Sequence, residues 1–437
     1  MKQRTIVISD LHVGGGPGDP GDDHVYQKRE LVRFIASLGE SEPGRKGGIE
    51  LFINGDFLEF AQTAQEVHRS TGSKAWCSEP ESLKKLEVIL AGHPEIFSAL
   101  GAFQALGNQV TVAAGNHDVD LYWPSVQKAL VDAVHPGLAF AIGQDWVERY
   151  GGKLQIAHGH LPDPVNTFKS WDKPLARHDN TRLEMCPGTL FMVKFVNLLE
   201  REYPFADNIY PVQRLAALLK EGDKKGLAVV SWAFLRFSAR HAKTLGAATP
   251  MGTKVLSRLG TNTAFAEELS RRTGTSVETL RGFSEDKAAE FVLVHWPEIA
   301  DMPDWKKLTS ANTLAGDGQA ANSLGTLIMN ASFGKESLRD EALKRATAIE
   351  ATEVVVMGHT HLPDKALVTS KVRYFNPGSW TRYADVSPGK PLTLDDLRDE
   401  SAFPYSLNYV EIDEASPGAP LQAQMKTFES QEDLLRE

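Results

Sequence analysis

Cysteine is almost missing from this chain. Cys77 and Cys186, two residues in 437, are too few and too scattered for a disulfide framework or a zinc-finger spacing. No stretch reaches eighteen uninterrupted apolar residues, which argues against a transmembrane span. The N-terminus runs straight into strand-like sequence with no apolar targeting segment. The expectation is therefore a cytoplasmic protein, with peripheral membrane contact left open. Positive charge is in deficit, 47 Lys and Arg against 57 Asp and Glu, for a formal net charge of -10 with His neutral. This counts against a non-specific binder of nucleic acid, which wants a basic surface. It does not count against a phosphorylated substrate, because bound metal ions invert the local field. The glycine-rich stretch 13–23 lacks P-loop spacing and no Gly-Lys-Ser/Thr follows it, so it reads as a loop.

A chain of this length, 42% hydrophobic and 24% charged, forms two or three domain-sized units or one large domain with an insertion. Short β-like runs at 6–8, 49–53, 109–113, 138–142, 146–150 and 153–157 alternate at first with helical spacing at 25–38, 81–91, 94–105 and 124–134. From about 162 to 351 strand signals fade. Helical patterning recurs there at 189–202, 211–221, 226–243, 263–271 and 335–351. The apolar run 226–243, with Trp232 and Phe234, suits a helix buried in its own bundle or a lid. Strand character returns at 354–357, in a hairpin-like 367–375 and at 405–412. The expected division is a sheet-based core in two pieces, 1–161 and 352–427, a helical insertion over 162–351 serving as lid or homodimer interface, and an acidic tail over 428–437.

Five polar clusters close these β-like runs: Asp10/His12, Asp56, Asn116/His117, His158/His160 and His359/His361. Six of the thirteen histidines fall in them, a concentration that surface ion pairs do not require. Side chains two apart share a face of a strand, so an Asp-x-His pair just past one can turn both groups into a crevice at its carboxyl end. Oxygen and nitrogen donors without thiolate suit Mn, Fe, Zn, Co or Ni. The donors exceed one tetrahedral site. Two ions about 3.5–4 Å apart, bridged by one carboxylate, fit better.

In order, the clusters spell D-x-H, G-D, G-N-H, a further H and G-H-x-H. This series resembles the signature of the calcineurin-like metallophosphoesterase superfamily. The resemblance implies an α/β fold, a four-layer αββα sandwich interrupted here by a large mainly helical insertion. It implies Asp10, His12 and His361 on one ion and Asn116, His158 and His359 on the other, with Asp56 between them. Manganese is the first choice of metal. His117 is then not a ligand but faces the scissile phosphate as general acid or charged stabiliser. Glu59 is the candidate to orient it. The stretches Gly55-Asp56-Phe57-Leu58-Glu59 and Gly358-His359-Thr360-His361-Leu362-Pro363, with Asn376-Pro377-Gly378-Ser379-Trp380, resemble the branch that includes UDP-2,3-diacylglucosamine pyrophosphatases. Two features depart from that branch: His117 where it has Arg, and a far longer insertion.

The implied reaction is hydrolysis of a phosphodiester or pyrophosphate by direct attack of metal-bound hydroxide, on a phosphorylated small molecule or a lipid or nucleotide conjugate. A phosphomonoesterase, a nuclease and a non-catalytic scaffold are the alternatives. His160 could reach the ion or the phosphate, or fix its loop, and Asp118 could bond within its own loop. Trp171, Arg177 and Arg182, just beyond the His158 block, suit either a substrate rim or a salt-bridged linker.

Overall fold

The structure, a computed structural model, describes residues 4–19, 21–22, 24, 29–63, 77–177, 179–210, 218, 256–283, 291, 334–385 and 392–429. The helices expected over 211–221 (Leu218 apart) and 226–243 lie outside these residues, as do Trp232 and most of the acidic tail. The chain divides into two compact units, residues 1–214 with 333–437, and residues 215–332.

The larger unit is mixed α/β. Its strands are β1 (Arg4–Ile8), β2 (Ile49–Asn54), β3 (Gln109–Ala113), β4 (Ala139–Ala141), β5 (Val147–Arg149), β6 (Leu154–Ile156), β7 (Leu175–Ala176), β8 (Asp179–Leu183), β9 (Ile209–Tyr210), β10 (Val354–Val356), β11 (Asp364–Leu367), β12 (Arg373–Asn376), β13 (Ala384–Asp385), β14 (Asn408–Glu414) and β15 (Leu421–Thr427). One six-stranded sheet has the order β15-β14-β1-β2-β3-β4, and a five-stranded sheet has the order β11-β12-β10-β6-β5. The pairs β7–β8 and β9–β13 stand apart as two-stranded ribbons. Strands β1 to β4 run parallel, whereas β14 and β15 join antiparallel at the other edge. In the second sheet β6, β10 and β12 run parallel, flanked by antiparallel β5 and β11.

Alternation along the strands explains this two-sheet arrangement. Val7 of β1 joins Phe52, Ala113, Val410 and Ile412 in one buried cluster with Leu154, Ile156, Val354, Val356 and Phe375 of the second sheet. Its neighbours Ile6 and Ile8 face the opposite way, into a cluster with Leu31, Phe34, Ile35, Leu86, Ile89, Phe97, Leu100, Val126 and Leu130. These come from the helices Glu30–Glu40, Glu79–Gly92, Pro94–Ala105 and Pro124–Val134. Beyond the second sheet, Val355, Met357 and Tyr374 pack on Leu338 and Ala342 of the helix Lys335–Ala348. The early βα rhythm thus builds one sheet of two, each with helix on its outer face.

Helix starts follow local chemistry. Ser78 and Glu81 make a capping box ahead of Glu79–Gly92, and proline stands in the first turn of that helix and of the next two. No single helix among the described residues is long and apolar enough to cross a membrane. The insertion read from sequence over 162–351 is divided by the fold. Residues 162–214 and 333–351 belong to the unit of the sheets, and 215–332 forms the other. In that second unit, the helices Thr263–Thr273 and Val277–Arg281 pack Phe265, Ala266 and Leu269 against Leu259 and Leu280.

One buried ion pair ties this scaffold to the loop after β3. Lys85, in the helix Glu79–Gly92, is 1% exposed and meets Asp120 at 2.5 Å. Removing one partner strands the other charge in the core. Asp120→Ala is expected to lose about 3–5 kcal/mol in urea unfolding. Lys85→Met with Asp120→Leu should recover most of it, and a loss below about 1 kcal/mol in the single variant would contradict the pairing.

Candidate metal centre

The five clusters meet in space because each follows a parallel strand, three in one sheet and two in the sheet packed against it. β1, β2 and β3 deliver Asp10/His12, Asp56 and Asn116/His117 at their carboxyl ends, and β6 and β10 deliver His158 and His359/His361. Pairing continues past the strands: the amides of Leu11 and His12 donate to the Asp56 carbonyl at 2.8 and 2.9 Å. Ser379 Oγ and the Trp380 amide donate to the Asp10 carbonyl, and Asn376 Nδ2 donates to that of Gly358.

Asp10, His12, Asp56, His359 and His361 all have φ between 48° and 71°. Only two other described non-glycine residues have positive φ, Arg29 and Tyr150. Each left-handed L-residue costs roughly 1–2 kcal/mol, so strain is concentrated at this one place. Close approach adds a second constraint. A Cβ on Gly115 would collide with Asp56 Oδ1 and His158 Nε2, and one on Gly358 with Ser9 Oγ and Asp10 Oδ2.

Three overlapping groups of donors result: Asp10/His12/His361, His12/Asp56/His117 and Asp56/His158/His359. Within each, the donor atoms lie within 4.8 Å of one another. These buried groups could hold a metal ion. The imidazole tautomers agree, since carbonyl and carboxylate oxygens only accept. His158 Nδ1–H donates to the Asn54 carbonyl at 2.8 Å, which turns Nε2 toward Asp56 Oδ2 at 3.1 Å; there it donates to the carboxylate in the metal-free protein and would give that proton up to bind a cation. His12 Nδ1–H donates to Glu59 Oε2 at 2.8 Å, and its Nε2 faces His361 Nε2 at 3.1 Å. Asn116 Oδ1 is buried without a hydrogen-bond partner, an orphaned oxygen of the kind a cation satisfies.

Charge makes the same case. Burial pushes Asp10 above the usual carboxylate range, with His158 opposing and Asp56 adding to the shift. Burial acts on Asp56 in the same sense, but His158, His117 and His12 outweigh it and hold its carboxyl well below that range. His158 rises to about 9 against its burial because Asp56 and Asp10 face it. Among the described residues no Lys or Arg pairs with Asp10, Asp56 or Glu59; their partners are imidazoles.

Glu59 does more than its place beside His117 indicates. Its Oε2 accepts from both His117 Nδ1, at 2.5 Å, and His12 Nδ1, while Oε1 accepts from the Ala61 and Gln62 amides. His117, with a side chain 14% exposed, is more open than His12 or His158, and its own amide donates to Asp56 Oδ1. Asp118 accepts from the amides of Gly115, Phe57 and Leu58, so it locks two site loops together.

His160 points elsewhere. It is buried, neither ring nitrogen has a hydrogen-bond partner, and it packs edge-on to Trp171 at 4.4 Å and near Phe168 at 5.9 Å. Burial and the neighbouring His158 hold it well below the usual histidine range, so it is neutral. Trp171 is correspondingly not a rim residue: it is buried, with Nε1 donating to the Gln144 carbonyl. Arg182 pairs with Asp179 and Glu81, and Arg177 is exposed beside the β7–β8 turn. Sequence reading missed Asp22, which accepts from the Gly16 and His24 amides and from His93 Nε2 and so pins the glycine-rich loop. Its signal, one of three Asp residues among loop glycines and prolines, resembles any turn. It also missed Asp163, whose carboxylate meets His359 Nε2.

Glu59 and His117 set a pH window for the metal-free protein. Despite its burial, Glu59 falls from 4.5 to about 2 beside His117, and His117 rises from 6.5 to about 10 beside Glu59. The Glu59 share of stability is full above pH 4.5 and is lost as pH falls through about 2; the His117 share is full below pH 6.5 and is lost as pH rises through about 10. The stability gap between wild type and Glu59→Gln, read by urea unfolding in chelator, should therefore be widest between pH 4.5 and 6.5 and close on both sides. A gap that stays constant through pH 10 would mean that Glu59 faces no charged imidazole.

Comparison with protein-family profiles and with curated proteins finds no match for this chain, so its own residues carry the functional reading.

Proposed function

We propose that this chain is a binuclear metal-dependent phosphoesterase of the calcineurin-like metallophosphoesterase superfamily, acting on a phosphodiester or pyrophosphate. One observation carries the reading. Two buried donor groups, Asp10/His12/His361 and Asp56/His158/His359, stand side by side, with Asp56 also close to His12 and the orphaned Asn116 oxygen still to be satisfied. The succession of helices, six-stranded sheet, five-stranded sheet and helix supports a four-layer αββα scaffold. Nitrogen and oxygen donors suit manganese first, and iron, zinc, nickel or cobalt as well.

Two divalent cations held by Asp10, His12, Asp56, Asn116, His158, His359 and His361 would supply Lewis acidity and an activated water. The chain supplies the rest. Asp56 is kept ionised by its imidazole neighbours and so is ready to bridge. Glu59 fixes His117 through Nδ1 and favours its charged form, which leaves Nε2–H free to protonate a departing oxygen. Neither cysteine offers a nucleophile: both are buried, Cys77 against the Leu183 carbonyl and Cys186 against Thr189. The resemblance assigns the attack on phosphorus to water rather than to a side chain.

The test is metal-stripped protein reloaded with manganese and assayed on a chromogenic phosphomonoester, its diester and a nucleotide pyrophosphate. Faster turnover of the diester or pyrophosphate is expected. Inactivity on all three with two ions bound would overturn the reading, and preference for the monoester would replace its substrate class. His117→Ala should keep both ions and slow turnover by about 10²–10⁴-fold. Asp56→Asn should lose metal and activity together.

A further inference from the structure

The segment just after the His158 block is short and polar, Asp163-Pro164-Val165-Asn166. It touches two of the ligands proposed for one ion. Asp163 is 5% exposed. Its Oδ2 accepts from His359 Nε2 at 2.9 Å and from Asn166 Nδ2 at 2.8 Å, and its Oδ1 accepts from the Val165 amide. Asn166 Oδ1 in turn accepts from Asn116 Nδ2 at 3.3 Å. The frame around them is rigid. The Gly188 amide donates to the Val165 carbonyl, Thr189 Oγ1 donates to the Asn116 carbonyl, and a Cβ on Gly188 would collide with Asn166 Oδ1.

These contacts set the polarity of both ligands. A carboxylate cannot donate, so His359 directs Nε2–H to Asp163, and Nδ1 is the ring nitrogen that would meet a cation. The Asn116 amide could present either end to a cation, and only the oxygen binds one. Because Asn166 Oδ1 takes the NH2 group, the Asn116 oxygen is left over, and that atom is the buried one with no partner. The other donor group is held differently: Glu59 fixes His12, and Asp10 accepts from the His359 amide.

We propose that Asp163 and Asn166 are positioning residues for the ion held by Asn116, His158 and His359, and that they set its affinity independently of the ion at Asp10, His12 and His361. This rests on the two-ion reading above. Replacing carboxylate by amide at 163 lets the new side chain donate to His359 Nε2, which moves the ring proton to Nδ1 and blocks that ligand. Removing the Asn166 amide frees Asn116 to turn its NH2 group inward.

The experiment titrates chelator-stripped full-length protein with Mn2+, following bound metal by calorimetry and spin coupling by electron paramagnetic resonance. Wild type, Asp163→Asn and Asn166→Ala are compared. Wild type should take two ions and give a coupled-pair signal. In each variant one binding step should weaken by about 10–100-fold. The other step should keep its affinity, and at one equivalent the spectrum should be that of an isolated ion. If Asp163→Asn fails to fold, Asn166→Ala decides alone. Two unchanged steps, or two steps weakened equally, would overturn the inference. A wild type that takes only one ion would instead overturn the two-ion reading, so the two failures are distinguishable.

Discussion

Negative charge buried with imidazoles for partners, and with no Lys or Arg among the described residues, is the constraint on which the centre depends. Asp10, Asp56 and Glu59 are each at most 1% exposed and lie among imidazoles. Moving an ion out of water costs several kcal/mol even after relaxation, and removing its compensation costs more. Imidazolium can balance part of this charge, at the expense of the lone pairs that His12 and His158 turn inward. Divalent cations balance it without that loss. The left-handed backbone at five donor positions is a second standing cost at the same place, tolerated because the adjoining strands over-determine the chain there.

The two halves of the centre are supported by different parts of the molecule. Glu59 links a proposed ligand, His12, to the proposed acid, His117, through a single oxygen. Disturbing that carboxylate therefore affects the positions of both imidazoles. On the other side, support comes from 163–166 and from Gly188 and Thr189 of the short helix Pro187–Phe191. A short stretch of loop thus stands in for the strand ends in orienting His359 and Asn116.

Much of this was legible in the sequence, for a physical reason. β1, β2 and β3 are buried on both faces, so they read as short runs rich in Val, Ile and Leu with few polar interruptions, and the polar cluster after each marks where the strand stops. Helices were legible from apolar spacing, whereas the start of Glu79–Gly92 is set by a capping box and proline that spacing does not register. What stayed hidden is non-local. Glu59 reads as one acid on a short helix, and nothing nearby reveals that His12 shares its oxygen. Asp163 and Asn166 have the composition of an ordinary turn. Trp171 and His160 lie eleven residues apart with no periodic relation, and only the fold packs one ring on the other. The partition of strands between two sheets is equally silent, because Val7 and Ile6 are the same chemistry facing opposite ways.

The position of β1 has a consequence for how the protein is made. This strand pairs in parallel with β2 and antiparallel with β14, and His12 meets His361 across 349 residues of sequence. Closing such distant contacts is slow, because the entropy of a long loop is lost before the contacts form. During synthesis the early strands emerge with one edge open and with Asp10, His12 and Asp56 lacking their histidine partners from 359 and 361. An unpaired strand edge beside exposed metal donors is a site for mispairing. The donor groups built on Asp10 and Asp56 are therefore complete only once the second sheet has closed around β10.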